Sequence, residues 1–259
     1  MKLLLSSYCL EPFPLEETFL LAKEIGADGV ELVLVPSVYF QGLKNAKELS
    51  EKYQIPIVNL HQPPWGILFT GKRGIKRLVE KAKLLGCKNI VAHLATVRRT
   101  FNSPFFEWVK QIEKESGINI AFENAASRKF EGLPKYAGIS AEKFEEFVKA
   151  RQVSITLDVA KGVLQGIDPY QFFQRNRNIV KAMHFHGFNH ESNYHIGFAG
   201  HNFDWSGFMS FVKKFDTDVS VTLEIFPMQK WIHFELPSKK IFESSRNFIK
   251  ENFEILKHA

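Results

Sequence analysis

Residues 118–123 read Ile118-Asn119-Ile120-Ala121-Phe122-Glu123, a short apolar run that ends on a carboxylate. Val219-Ser220-Val221-Thr222-Leu223-Glu224 has the same form. Eight such runs span residues 2–8, 29–34, 56–61, 89–93, 119–123, 153–158, 180–186 and 219–225. They are rich in Val, Ile, Leu and Phe and mostly lack strict alternation. That composition suits strands covered on both faces, as in a parallel sheet.

Helical patterns separate the runs. Residues 14–25 place apolar side chains three and four apart and stop at Gly26; residues 75–85 do the same and stop at Gly86. Glycine just past the last turn is a favoured helix stop. Ser140 is a candidate N-cap for a further helix, with Glu142 in its first turn. Residues 105–115, 169–174, 205–215 and 238–253 supply others. Strand–helix alternation over 259 residues predicts a single-domain (β/α)8 TIM barrel covering residues 1–259. An open doubly wound sheet is the alternative, but no Gly-x-Gly-x-x-Gly follows the first strand.

Composition narrows the class. Hydrophobic residues make up 45% of the chain, enough for a large core, and the 25 Phe residues read as its filling. The net charge of +6 and pI of about 9.1 fit an anionic substrate without a run of like charges for nucleic acid. The two cysteines, Cys9 and Cys87, exclude a disulfide framework and point to a reducing cytoplasm. The opening Met1-Lys2-Leu3-Leu4-Leu5 is too short for a signal-peptide core. No apolar run reaches the ~20 residues of a membrane helix.

Polar residues fall at the strand ends. Glu31 lies in the second run, His61 ends the third and His93 the fourth; Glu123, Asp158, the pair His184 and His186, and Glu224 close the fifth to eighth. In this fold the C-terminal strand ends carry the chemistry. Taken singly, Glu31 or His93 reads as a salt-bridged or packing residue. The set is different, because several carboxylates converging on one apolar mouth would repel each other or take up protons. A divalent cation resolves both difficulties, and carboxylates with one imidazole suit Mn, Mg, Co or Zn. His184 and His186 are two apart and share a strand face, so either can ligate while the other binds substrate or supports a ligand.

From Gly26-Ala27-Asp28-Gly29-Val30-Glu31-Leu32 to Thr222-Leu223-Glu224 the sequence resembles the xylose-isomerase-like barrel superfamily, which includes ketose 3-epimerases and apurinic-site endonucleases. The resemblance to the epimerases implies metal ligands at Glu123, Asp158, His186 and Glu224, with His184 the alternative on the same strand. It implies an isomerase or epimerase of a sugar or sugar phosphate, working by proton transfer beside a carbonyl through an enediolate. Glu123 and Glu224, on well-separated strands, would be the acid and base. His61, His93, Lys161 and His195 are candidate substrate-binding residues. No Arg follows the seventh run, where the epimerases have a substrate-binding one; Gly197-Phe198-Ala199-Gly200 stands near their Gly-x-Gly loop.

The endonucleases supply the rival, a metal-dependent phosphodiesterase with ligands at His61, His93, Glu123, Asp158, His184 and Glu224. Lys161 stands where their strand 6 motif has a His, and only Asn193-Tyr194-His195 approaches their Asp-x-His, which disfavours a three-metal site and a nucleic-acid partner. A barrel without activity is the third reading. Lys72, Arg73, Arg98, Arg99, Arg128 and Lys129 are expected in loops at the mouth, and Trp65, Phe69, Phe188 and Phe198 as apolar walls. The oligomeric state is left open.

Overall fold

The computed structural model describes residues 1–63, 71–93, 104–124, 141–188, 194–199, 203–226 and 238–259. Eight parallel strands close into a barrel: β1 (Lys2–Ser6), β2 (Gly29–Val33), β3 (Ile57–His61), β4 (Asn89–His93), β5 (Asn119–Glu123), β6 (Ile155–Asp158), β7 (Val180–Phe185) and β10 (Ser220–Leu223). Closure comes from β10 pairing with both β1 and β7, with Lys2 opposite Ser220 and Ser220 opposite Ala182. A two-stranded antiparallel piece, β8 (Gly187–Phe188) with β9 (Tyr194–Ile196), follows β7 at the mouth.

Helices α1 (Leu15–Glu24), α4 (Gly71–Leu85), α5 (Phe105–Ser116), α6 (Ala141–Arg151), α8 (Pro169–Asn176), α9 (Trp205–Lys213) and α10 (Lys239–His258) fall where the periodicity places them. The expected Ser140 cap lies outside the described residues. Gly26 and Gly86 take φ of +69° and +74°, a left-handed turn that only glycine adopts without strain. Three helices carry no sequence assignment: α2 (Pro36–Gln41), α3 (Leu43–Tyr53) and α7 (Val159–Leu164). The α3 helix buries only Ala46 and Leu49, so its apolar stripe is too thin to read. Lys72 and Arg73 are exposed on the first turn of α4, not in a loop; Arg98, Arg99, Arg128 and Lys129 lie outside the described residues.

Outward-facing strand residues meet the helices through phenylalanine. Phe122 of β5 packs on Phe106 of α5 at 5.4 Å between ring centroids, and Phe185 of β7 on Phe208 of α9 at 5.8 Å. Both pairs are fully buried, so the abundant Phe fills the layer between barrel and helices. Phe188 and Phe198 belong to this packing too, against Trp205. Trp65 and Phe69 lie outside the described residues.

The barrel lumen is polar. Asn59, Asn89 and Asn119 sit side by side on β3, β4 and β5 in register. Asn119 donates to Asn89 at 2.7 Å, Asn89 to Asn59 at 3.1 Å, and Asn59 to Glu31 at 2.9 Å. Half-buried Asn119 thereby satisfies buried Asn89, and Asn89 satisfies buried Asn59, as a polar interior requires. The chain of amides climbs from the floor of the barrel to a carboxylate beneath the mouth.

Candidate metal centre

Period-two alternation aims all six of Glu31, His61, His93, Glu123, Asp158 and His184 into the lumen, Glu31 from the middle of β2 and the others at or one residue from the C-terminal ends of their strands. Glu224 is the first residue beyond β10, held there by its N–H donating to Phe185 O at 3.0 Å. All four carboxyls, Glu31, Glu123, Asp158 and Glu224, are buried. One donor atom each from Glu123, Asp158, His184 and Glu224 lie within 4.8 Å of one another and could hold a metal ion.

His184 is the hinge of this quartet. Its Nδ1 lies 3.0 Å from Glu123 Oε1 and 3.1 Å from Glu224 Oε2. Its Nε2 lies 3.0 Å from Glu31 Oε1, close enough to interact as charges, though neither of those two atoms completes a well-directed hydrogen bond. Asn59 Nδ2 and Thr222 Oγ1 both donate to the other oxygen, Glu31 Oε2, at 2.9 and 3.0 Å. Glu31 is thus oriented with Oε1 toward the imidazole. A carboxylate behind one ring nitrogen would leave the other, Nδ1, available to a metal ion. Glu31 was visible in the sequence, but nothing local marks it as His184's partner.

His186 meets a different acid of the quartet. Its Nε2 is 3.1 Å from Asp158 Oδ2, and its Nδ1 accepts the His195 N–H at 3.1 Å. His186, His195 and Glu224 form a second group able to hold an ion, and His61, His93 and Glu123 a third. In that third group His93 Nδ1 is 3.1 Å from Glu123 Oε2 and His61 Nε2 is 4.0 Å away. Glu123 therefore turns one oxygen to each side: Oε1 to the quartet, Oε2 to the two histidines.

Lys161 reaches into the quartet. Its Nζ lies 2.6 Å from Asp158 Oδ2 and 2.8 Å from Glu123 Oε1. Asp158 is the N-cap of α7 and accepts the Lys161 N–H on Oδ1 at 2.8 Å, so one carboxylate fastens both ends of this residue. The donor set still fits a divalent ion. Glu224 Oε2 is sealed from solvent without a well-directed hydrogen bond, despite His184 Nδ1 nearby, and three hard oxygens with one imidazole suit such a cation.

The charges sustain each other. Burial pushes the Glu123 carboxyl up, but Lys161, His184 and His93 outweigh it and hold it well below the usual carboxylate range. Burial likewise opposes ionisation of Glu224, and His184 above all overcomes it. Burial lowers the His184 imidazole, while Glu31 and Glu224 raise it well above its ordinary value. His195 is pushed down to about 3 by burial and by His186, so it is neutral.

A closed eight-stranded barrel with acids and imidazoles at the C-terminal mouth defines the class. The family model for the xylose isomerase-like TIM barrel matches residues 19–252, and the chain belongs to that family. Uncharacterized protein ML2432 of Mycobacterium leprae (strain TN) is 30% identical over 128 residues, 46% of this chain and 45% of that protein. The chain thus aligns with less than half the length of that curated relative. Among solved structures, the IOLI protein with a binding zinc atom superposes with a TM-score of 0.71 at 17% identity, covering 99% of this chain and 98% of that one. D-allulose 3-epimerase from Methylomonas sp. in complex with D-allulose gives 0.70 at 12% identity, covering 99% and 96%. At such identities these similarities establish the fold. No helix among the described residues is long and apolar enough to cross a membrane.

Proposed function

We propose that this chain is a divalent-metal-dependent isomerase or epimerase of a small sugar or sugar phosphate, in which Glu123 and Glu224 exchange protons with carbon beside a carbonyl. The observation that carries this is the convergence of Glu123, Asp158, His184 and Glu224 to within 4.8 Å at the barrel mouth. These four would hold the ion, with Mn, Mg, Co and Zn as candidates. The ion would supply Lewis-acid polarisation of the substrate oxygens and neutralise charge that develops on them.

The side chains account for the rest. Glu123 and Glu224 come from staves separated by β6 and β7, so they flank the reacting carbon from different sides. Both are ionised, as a base must be: one takes the proton that leaves carbon, and the other must first take up a proton from solvent before it returns one to the enediolate. Proton removal gives an enediolate, and return on the other carbon or the other face gives isomer or epimer. Neutral His195, its Nδ1 2.8 Å from Glu224 O, and His61 with His93 would bind substrate hydroxyls. Lys161 would take an anionic oxygen of the substrate, such as a phosphate. The two free cysteines fit a reducing cytoplasm.

A second reading, hydrolysis of a phosphodiester, is favoured by the group His61, His93 and Glu123, which offers another ion position sharing Glu123. Elemental analysis separates the two: one Mn or Mg per chain supports the isomerase, and two or three Zn the phosphodiesterase. The direct test incubates metal-loaded protein with keto sugars and their phosphates in deuterated water, following loss of the carbon-bound proton by NMR. Conversion without solvent exchange across the whole panel would refute the proton-transfer scheme.

A further inference from the structure

We infer that Lys161 is a tethered counter-cation of the acid quartet, which holds Glu123 and Asp158 together when no ion is bound and competes with the ion that binds there. This rests on the proposal that the quartet takes a divalent cation.

Three observations carry it. The ammonium touches two of the four donor residues, Asp158 at 2.6 Å and Glu123 at 2.8 Å. Its place is fixed by the backbone: Asp158 caps α7, Lys161 is the third residue of that helix, and its own N–H donates to the same carboxylate at 2.8 Å. Among the described residues, no other lysine or arginine ion-pairs with Glu31, Glu123, Asp158 or Glu224. Among the described residues, the other ion-pair partners of these four carboxylates are imidazoles: His61, His93, His184, His186 and His195.

The physical consequence has a definite sign. Carboxylates buried side by side without a cation repel each other and lack hydration. The ammonium relieves both for Glu123 and Asp158. A divalent ion entering the quartet meets that positive charge across a short, poorly screened distance. It must displace the ammonium from its oxygens or bind beside it at reduced affinity. The side chain keeps 16% of its surface exposed, whereas Glu123 and Asp158 keep 2% and 0%, so it has a way toward the mouth. Moved there, it would meet the anionic part of a substrate. One lysine would then serve the metal-free and the loaded states in turn.

The test is Mn2+ binding by calorimetry to wild type and to Lys161→Met, with Lys161→Gln as a second neutral variant. The expected result is binding at least about tenfold tighter in the neutral variants, together with lower melting temperatures without metal. Unchanged or weaker binding by a variant that is folded by circular dichroism overturns the inference while leaving the metal site standing. Failure of wild type and both variants to bind Mn2+, Co2+ or Zn2+ overturns the metal proposal itself, and this one with it. A measurement on wild type covers the case of misfolded variants. Peptide-mapped acylation of Lys161 at one pH is expected to quicken on Mn2+ loading as the ammonium leaves its acids. Unchanged or slower acylation of the loaded protein counts against displacement.

Discussion

Replacing Glu31 by Gln separates metal binding from folding. The carboxylate is fully buried, takes Asn59 Nδ2 and Thr222 Oγ1 on Oε2, and turns Oε1 to His184 Nε2 at 3.0 Å. Glutamine fits the space but has one acceptor oxygen. If that oxygen replaces Oε1, the new NH2 confronts two buried donors, Asn59 and Thr222. Each is left unsatisfied at a cost of about 1–3 kcal/mol. If it replaces Oε2, both of those bonds survive and the NH2 faces His184 Nε2 instead. The second arrangement is cheaper, so the variant adopts it. His184 then carries its proton on Nδ1, the nitrogen that faces Glu123 and Glu224. Loss of such an orienting partner costs about 10–100-fold in metal affinity, or about 1.4–2.8 kcal/mol. Calorimetric titration with Mn2+, paired with thermal melts of the metal-free protein, reads both quantities. Glu31→Gln binding Mn2+ within about twofold of wild type would refute the assigned role of this carboxylate.

Glu123→Gln and Glu224→Gln, assayed at saturating metal, each lower turnover by about 10²–10⁴-fold without unfolding the barrel; activity near wild type in either removes it from the acid–base pair. Metal affinity rises with pH. In the metal-free protein the His184 charge interaction is fully present below its ordinary value of 6.5 and is lost as pH rises through the raised value. Since a ligand must lose that proton, Mn2+ binding releases about one proton, readable by calorimetry in buffers of different ionisation enthalpy, and pH-independent binding contradicts it. Burial pushes the Cys87 thiol up to about 12 and Cys9 higher still, so neither reacts with a thiol reagent at neutral pH until the protein is denatured. Rapid labelling of native protein would show that these segments open.

The strands were legible because a doubly covered parallel strand leaves an apolar run that polar residues interrupt only for a reason. The expected stretch 119–123 is β5 to the residue, while 2–8 ends early, at Ser6, where a short 3-10 turn takes over. The positions of the acids at strand ends were legible for the same cause. What could not be read is pairing across the lumen. Glu31 and His184 lie on β2 and β7, and no local pattern joins them. Asn59, Asn89 and Asn119 recur at a spacing of 30 residues, the signal that marks one rung on three adjacent staves. That spacing would have exposed the ladder beneath Glu31.

The two histidines after Val180 show where periodicity stops helping. Spacing by two gives them one face but says nothing about depth. His184 lies within β7 and opposite Asp158 in register, so its ring meets the quartet from inside the barrel wall. His186 follows the last residue of β7, and its Nδ1 accepts from the backbone of β9. The end of the strand, not the face, decides which acids each imidazole meets: Glu123 and Glu224 for His184, Asp158 for His186. Lys161 follows the same logic in reverse. Three residues past a capping Asp158, it is the position whose N–H a cap bonds, and its long side chain can double back to the same carboxylate. Recognising Asp158 as a helix cap therefore places a cation beside the acids before any tertiary contact is known.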